Sequence, residues 1–344
     1  MITLKKYFDF AVKNKASDLH LVGGEPAILR KDGQLITIEK KDLNPKELET
    51  ALLGLLTKEQ KEYFLENLEL DFAYEHNGFR FRMNYHRQSS KIALSARLVP
   101  SKIPSPTDLR FEDSMRDFTQ LLDGLVLVVG PTGQGKSTTI ASMIEEINQT
   151  RRAHIITIED PVEFLFESKE SLIEQREIGI DTRSFGDALK YVLRQDPNVI
   201  FVGEMRDPET IATVLTAAET GHLVFSTLHT ATAAETIKRI IDVFSGSKQK
   251  QILSQLSSVL RGVVSQQLIV AKDGSRVAAR EILVNTPAVS NLIRENDTSQ
   301  IKSMIQTGAS AGMRTMETSL LALEKDGLIE GAVAKKRFGR MKKV

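Results

Sequence analysis

Cysteine is absent from this 344-residue sequence. That excludes disulfides, a thiolate nucleophile, Cys-ligated zinc and iron–sulfur clusters. Long apolar runs are also missing. The longest, at 125–129 and 199–202, fall far short of the roughly 20 residues a spanning helix needs. The N-terminus lacks the basic, apolar, small-residue order of a signal peptide. Net charge is nearly absent: 46 Lys+Arg against 45 Asp+Glu leave +1. Such balance argues against a protein held on nucleic acid by bulk charge, so no direct nucleic-acid partner is expected. The six histidines are too dispersed to suggest a metal cage. What remains, 41% hydrophobic and 26% charged residues, is the composition of a soluble, well-cored, cytoplasmic protein of about two domains.

The boundary between the two halves is marked by proline. Pro100, Pro104 and Pro106 fall within seven residues, removing backbone donors and blocking regular structure. The expected organisation is therefore a domain over 1–99, a hinge over 100–107 and a second domain over 108–344. Before the hinge, residues 2–12 read as an amphipathic helix packed on its own domain. Asp32-Gly33 between apolar stretches signals a hairpin. Residues 44–67 look helical. Phe79, Phe81 and Met83 alternate with Arg80, Arg82 and Asn84, the pattern of a half-exposed strand within 70–98.

Past the hinge, short apolar runs alternate with helical segments, which indicates an α/β fold with a parallel sheet covered on both faces. Strands are expected at 125–129, 154–158, 199–203 and 222–227. Helices are expected at 136–149 and near 184–194, 207–219, 232–243 and 249–268. After Leu283 the chain reads as mostly helical, with a helical tail over about 286–344. Its basic close at 337–344 reads as a solvated tail rather than a nucleic-acid arm.

Gly130-Pro131-Thr132-Gly133-Gln134-Gly135-Lys136-Ser137 fits G-x-x-x-x-G-K-[ST] in full. Glycines let backbone N–H groups turn inward around phosphates, and the following helix adds the positive end of its dipole. Lys136 then reaches the β- and γ-phosphates of a nucleoside triphosphate, while the Ser137 hydroxyl, followed by Thr138, holds Mg²⁺. By composition such a motif arises by accident at about 3 × 10⁻⁵ per position, on the order of 1% over this length. An apolar strand before the loop and a helix after it make the accident rarer still.

A phosphate loop needs a carboxylate on a second strand. Val199-Ile-Phe-Val-Gly-Glu204 supplies one, with Glu in place of the usual Asp, suited to holding Mg²⁺ through water. Glu159, Asp160 and Glu163 follow another strand, where ligands bind in open α/β sheets. Taken singly, each of these acids could equally cap a helix or sit on the surface. Two histidines complete the set. His222 opens a strand, and His229 follows its end, placed to sense the γ-phosphate.

These motifs occur in the order of the secretion-ATPase superfamily. The loop, Glu159-Asp160-Pro161-Val162-Glu163, Val202-Gly203-Glu204-Met205-Arg206-Asp207 and Thr220-Gly221-His222 through His229-Thr230 all resemble it. The likeness is greatest to the type IV pilus retraction ATPases. It extends to Ala16-Ser17-Asp18-Leu19-His20, Gln175-Arg176-Glu177 and Gly312-Met313-Arg314-Thr315-Met316-Glu317, nearly the whole chain. The resemblance implies a PAS-like N-terminal α/β domain, a RecA-like P-loop ATPase domain and a ring-shaped homohexamer. Nucleotide would lie between the two domains. Glu163 would be the general base, Glu204 the acid near Mg²⁺, His222 and His229 a histidine box, and Arg80, Arg82 and Arg97 arginines that reach the phosphates.

The resemblance further implies a motor for pilus retraction and twitching motility at the cytoplasmic face of the inner membrane. Its partners would be a membrane platform protein and other pilus ATPases. A related secretion, pilus-extension or DNA-uptake ATPase, or a regulatory ring subunit poor in hydrolysis, are the alternatives. Lack of cysteine and only about 100 residues before the hinge fit the retraction branch. The retraction signature stands here as Ala288-Val-Ser-Asn-Leu-Ile-Arg-Glu295, with Ser290 where the branch carries Arg. Asn198 and Pro208 are further departures, remote from the nucleotide chemistry.

Overall fold

The computed structural model describes residues 2–31, 33–99 and 102–333. The chain forms two compact units. The first runs to Lys102 and takes in Glu163–Leu165, and the second comprises the rest from Ile103 onward.

The first unit begins with α1 (Leu4–Lys13), whose Leu4, Tyr7, Phe8 and Ala11 are buried on one face. There follow β1 (Asp18–Val22), β2 (Pro26–Lys31), β3 (Gln34–Asp42), α2 (Pro45–Leu53), α3 (Lys58–Asn67), β4 (Glu69–His76), β5 (Phe79–Gln88) and β6 (Lys91–Leu98). The strands make a six-stranded antiparallel sheet in the order β3-β2-β1-β6-β5-β4. Lys31 pairs with Gln34, the hairpin that Asp-Gly signals.

One helix expected over 44–67 is in fact two. Asn44 caps α2, and Thr57 with Gln60 forms a reciprocal capping box that starts α3 anew. The helices cover a single face of the sheet, where Leu19, Leu21, Phe81, Met83, Tyr85 and Leu94 join Phe8, Leu48, Leu52 and Phe64 in one core.

The second unit contains α4 (Asp113–Gln120), β7 (Gly124–Val129), α5 (Lys136–Thr150), β8 (His154–Glu159), β9 (Leu172–Glu177), α6 (Phe185–Val192), β10 (Val199–Val202), α7 (Pro208–Glu219) and β11 (Leu223–Leu228). It continues with α8 (Ala233–Asp242), α9 (Ser247–Val259), β12 (Leu260–Val270), β13 (Arg276–Val284), α10 (Pro287–Arg294), α11 (Ile301–Thr307) and α12 (Met316–Lys325). The sheet order is β13-β12-β7-β11-β10-β8-β9.

Every residue of β7, β10 and β11 is buried. In β7, Leu125, Leu127 and Val129 enter one core, while Val126 and Val128 enter the core on the opposite face. Period-2 alternation between two dry layers is why these strands read as unbroken apolar runs. Burying each such side chain stabilises the fold by roughly 1.5–3 kcal/mol.

Two expectations need correction. The helix expected over 249–268 ends at Val259, and residues from Leu260 form β12, paired parallel to β7 and antiparallel to β13. Val263, Val264 and Ile269 favour a strand, and Asp273-Gly274 turns it back, with Gly274 at φ +82°. The sheet is therefore parallel except for β13. The edge strand β9, parallel to β8, was also not anticipated.

Beyond β13 the described residues are helical, as expected. Ser290, at the start of α10, donates from its hydroxyl to the Ser257 carbonyl at 2.7 Å. The departure from the retraction signature is thus turned toward the C-terminus of α9. Pro100 of the hinge and the basic segment 337–344 lie outside the described residues.

Candidate nucleotide site

β7 delivers the chain into the loop and α5 takes it away. Gly130, Gly133 and Gly135 all lie at positive φ, +143°, +78° and +76°. At Gly130 a Cβ would also meet the Gln266 carbonyl oxygen at 2.5 Å, so only glycine fits. At Gly133 a Cβ would meet nothing within 4 Å, leaving open space above the turn. Helix α5 starts at Gly135 with no side-chain cap, so its first-turn amides remain for an anion.

Lys136 is only 8% exposed. Its ammonium donates to the Gly130 carbonyl at 2.8 Å and the Pro131 carbonyl at 3.1 Å. Burial holds its pKa below the ordinary lysine value, and a phosphate would supply the missing counter-charge. Pro131 and Thr132 are exposed at the loop's crest, and Ser137 and Thr138 are half-buried on the first turn of α5.

Three more parallel strands end beside the loop. Val202 pairs with Ile158 on one side and Ser226 on the other, which sets Glu159, Glu204 and His229 along one carboxyl edge. His229 Nε2 lies 3.0 Å from Glu204 Oε2, its Nδ1 is 3.4 Å from Thr132 Oγ1, and Lys136 Nζ is 3.5 Å from the same Nδ1. Glu204 also pairs with Arg206. Burial, then the nearby charges of Lys136 and Arg206, push the His229 pKa below 6.5. Glu159, 4% exposed, accepts from Thr157 Oγ1 at 2.7 Å and Gln175 Nε2 at 3.3 Å. Its carboxylate is thus held inside the sheet edge. Among the described residues no group of three or more His, Asp or Glu could cage a metal. Ser137 and Glu204 are the residues that could hold Mg²⁺, which keeps several waters and takes oxygens from substrate phosphates.

The whole sequence, over residues 1–341, matches the family model described as Type II/IV secretion system protein. The chain belongs to this family. It is 46% identical over 329 residues to the type IV pilus retractation ATPase PilT of Pseudomonas aeruginosa, covering 95% of this chain and 96% of that one. A twitching motility protein of Neisseria gonorrhoeae is 45% identical, with 94% and 88% covered. A crystal structure of the pilus retraction motor PilT with bound ADP superposes at a TM-score of 0.91, 43% identical, over 98% of this chain and 97% of that one.

Within this secretion-family fold, not every expected residue joins the loop. His222 precedes β11 at its amino end, where Nδ1 lies 2.9 Å from the Ala217 carbonyl. Six strand residues, about 20 Å, separate it from His229, so within its own unit it is not part of the loop cluster. Asp160 is exposed just past β8, and Glu163 follows in the segment Glu163–Leu165 that belongs with the first unit. Arg80, Arg82 and Arg97 share the polar face of the first unit's sheet: Arg82 lies directly opposite Arg97, and Arg80 two residues along. Arg97 Nε donates to Asp18 Oδ1 at 2.9 Å.

Residues that sequence reasoning missed stand on β12 and β13. Ser265 Oγ donates to the Ala231 carbonyl, and Glu281 Oε1 accepts from the Ala233 amide at 3.0 Å, so both hold the turn after His229. Burial raises the Glu281 pKa. Gln266 backs the phosphate loop itself. Reading Asp273-Gly274 as a hairpin turn would have placed all of them in the sheet.

Proposed function

We propose that the chain is the ATP-hydrolysing subunit of a pilus-retraction motor, working as a ring-shaped homohexamer at the cytoplasmic face of the inner membrane. The observation that carries this reading is the convergence of Lys136, Glu204 and His229 at the mouth of an uncapped α5, in a chain 46% identical to a retraction ATPase. No helix among the described residues is long and apolar enough to cross a membrane, which fits a protein acting on a membrane platform partner rather than spanning the bilayer.

The chemistry assigns distinct tasks. Loop amides, the α5 N-terminus and Lys136 hold the β- and γ-phosphates and offset charge that builds on the leaving oxygen. Ser137 and Glu204 would hold Mg²⁺, which would supply positive charge to offset that of the phosphates. Glu163 takes a proton from the attacking water as its oxygen bonds to the γ-phosphorus and the bond to ADP breaks, giving ADP and phosphate. His229, neutral and tied to Glu204, reports the state of the γ-phosphate to the β11 end. His222, at the opposite end of β11, has no task at this edge of its own unit. Arg80, Arg82 and Arg97 present guanidinium groups for phosphate, and a conformational change driven by hydrolysis moves the ring.

The test is steady-state ATP turnover of wild type beside Glu163→Gln, with oligomer mass recorded on the same samples. A hexamer-sized wild type that turns over ATP, and a variant ring that binds ATP but is slower by roughly 10²–10⁴, are expected. Normal turnover in the variant removes Glu163 from the base role. A wild-type ring that binds ATP without hydrolysing it overturns the motor reading in favour of a regulatory subunit.

A further inference from the structure

Behind the phosphate loop, away from the ligand side, lies a dry polar chain. Gln266 on β12 is 1% exposed, as is Arg280 opposite it on β13. The Gln266 amide makes three bonds. Its Oε1 accepts from Thr139 Oγ1 of α5 at 2.8 Å and from Arg280 Nε at 2.9 Å, and its Nε2 donates to the Gln134 carbonyl at 2.7 Å. The Gln134 side chain returns the contact, accepting from the Leu268 amide at 2.7 Å.

The orientation of that amide is set by chemistry. An arginine Nε–H can only donate, so Gln266 must turn its oxygen to Arg280 and its NH₂ to the loop. Arg280 cannot turn away in its place. Its guanidinium also donates to the Leu109 and Arg110 carbonyls and to Glu112, and it stacks over Phe111. Glu112 in turn pairs with Arg314 of the 312–317 motif.

We propose that Gln266 is a positioning residue for ATP. Its NH₂ fixes the Gln134 carbonyl, and thereby the Gly133–Gly135 turn whose amides face the phosphates, while Arg280 locks the amide in the one orientation that does so. Gln266 touches no phosphate; it acts through the loop. This inference rests on the ATPase reading above.

The isosteric change Gln266→Glu separates positioning from packing. Glu keeps both acceptors for Thr139 and Arg280, gains an ion pair with Arg280, and loses only the donor to Gln134, where two oxygens would then repel. A packing role predicts an unchanged protein. The proposal predicts a protein that still folds but, below its melting transition, binds Mg-ADP about tenfold more weakly by calorimetry, the size of one hydrogen bond. Salt screens a buried charge little, so repulsion between Glu and phosphate is controlled for by a neutral substitution instead. Gln266→Met, neutral and of similar length, should weaken Mg-ADP comparably at temperatures where it is folded.

Wild-type affinity in Gln266→Glu, or a loss that Gln266→Met does not share, would overturn the proposal and leave the ATPase reading standing. A wild-type protein that bound no Mg-ADP would overturn both.

Discussion

Two arginine pairs in this molecule each have a carboxylate partner, and they differ in how far the fold satisfies them. In the second unit Arg280 and Arg314 share Glu112, and Arg280 is sealed from solvent. In the first unit Arg82 lies opposite Arg97 on an open sheet face, with Asp18 bonded to Arg97. Inside, Arg280 has carbonyl, carboxylate and amide acceptors and a ring beneath it, so its charge is consumed by the fold. Outside, the Arg97 side chain is 67% exposed, and like charges directly across a strand pair oppose folding. Carboxylates share that face, with Glu75 opposite Arg80 and Asp18 beside Arg97, so its guanidinium groups are balanced in the open rather than locked into the fold. How completely an arginine is satisfied, rather than its presence, tells a structural guanidinium from one still able to take a further partner.

The sharpest way to break this contrast is Arg280→Met. It removes the buried cation and leaves the 109 and 110 carbonyls and the Gln266 oxygen short of donors, so chemical denaturation should show a loss of about 3 kcal/mol or more. A loss below 1 kcal/mol would mean that the interior cluster is not structural.

A third cluster lies between the two extremes, with His229 among Lys136, Arg206 and Glu204. Its lowered pKa keeps it neutral at pH 7, and protonation would set a new cation against Lys136. Turnover should therefore hold through neutral pH and fall only as acid protonates His229, below the ordinary histidine range, by at most about tenfold per pH unit. The acid limb should shift in His229→Gln, and an unshifted limb would assign it to another group.

Arg82→Ala should have the smallest effect on stability, a gain of up to about 0.5 kcal/mol from relieving Arg97, while ATP turnover of the assembled protein falls. Unchanged turnover would make that face merely solvated.

The parts most legible in sequence were those whose signal is local. The phosphate loop carries its own glycines, and Glu204 follows a four-residue apolar strand directly. The arginines were visible as the polar half of an alternating strand, because that sheet is buried on one face only. What stayed hidden depends on pairing over long separations. Gln266 and Arg280 lie 132 and 170 residues from the carbonyls they hold. The segment 260–268 follows α9 without a break, and its apolar residues can be read as one more turn of helix. His222 looked like part of the site because it is close to His229 in sequence. A strand between two residues puts them at opposite ends of a sheet, whereas a loop would have brought them together.

Gly130 carries a consequence for how such a sequence would drift. A side chain there collides with the Gln266 backbone whether or not ATP is ever bound. A descendant that had given up hydrolysis would thus still be compelled to keep this glycine, while Lys136, buried and short of a counter-charge, would be among the first residues released. The opening glycine of the signature is a fossil of the fold; the lysine is the witness to the trade.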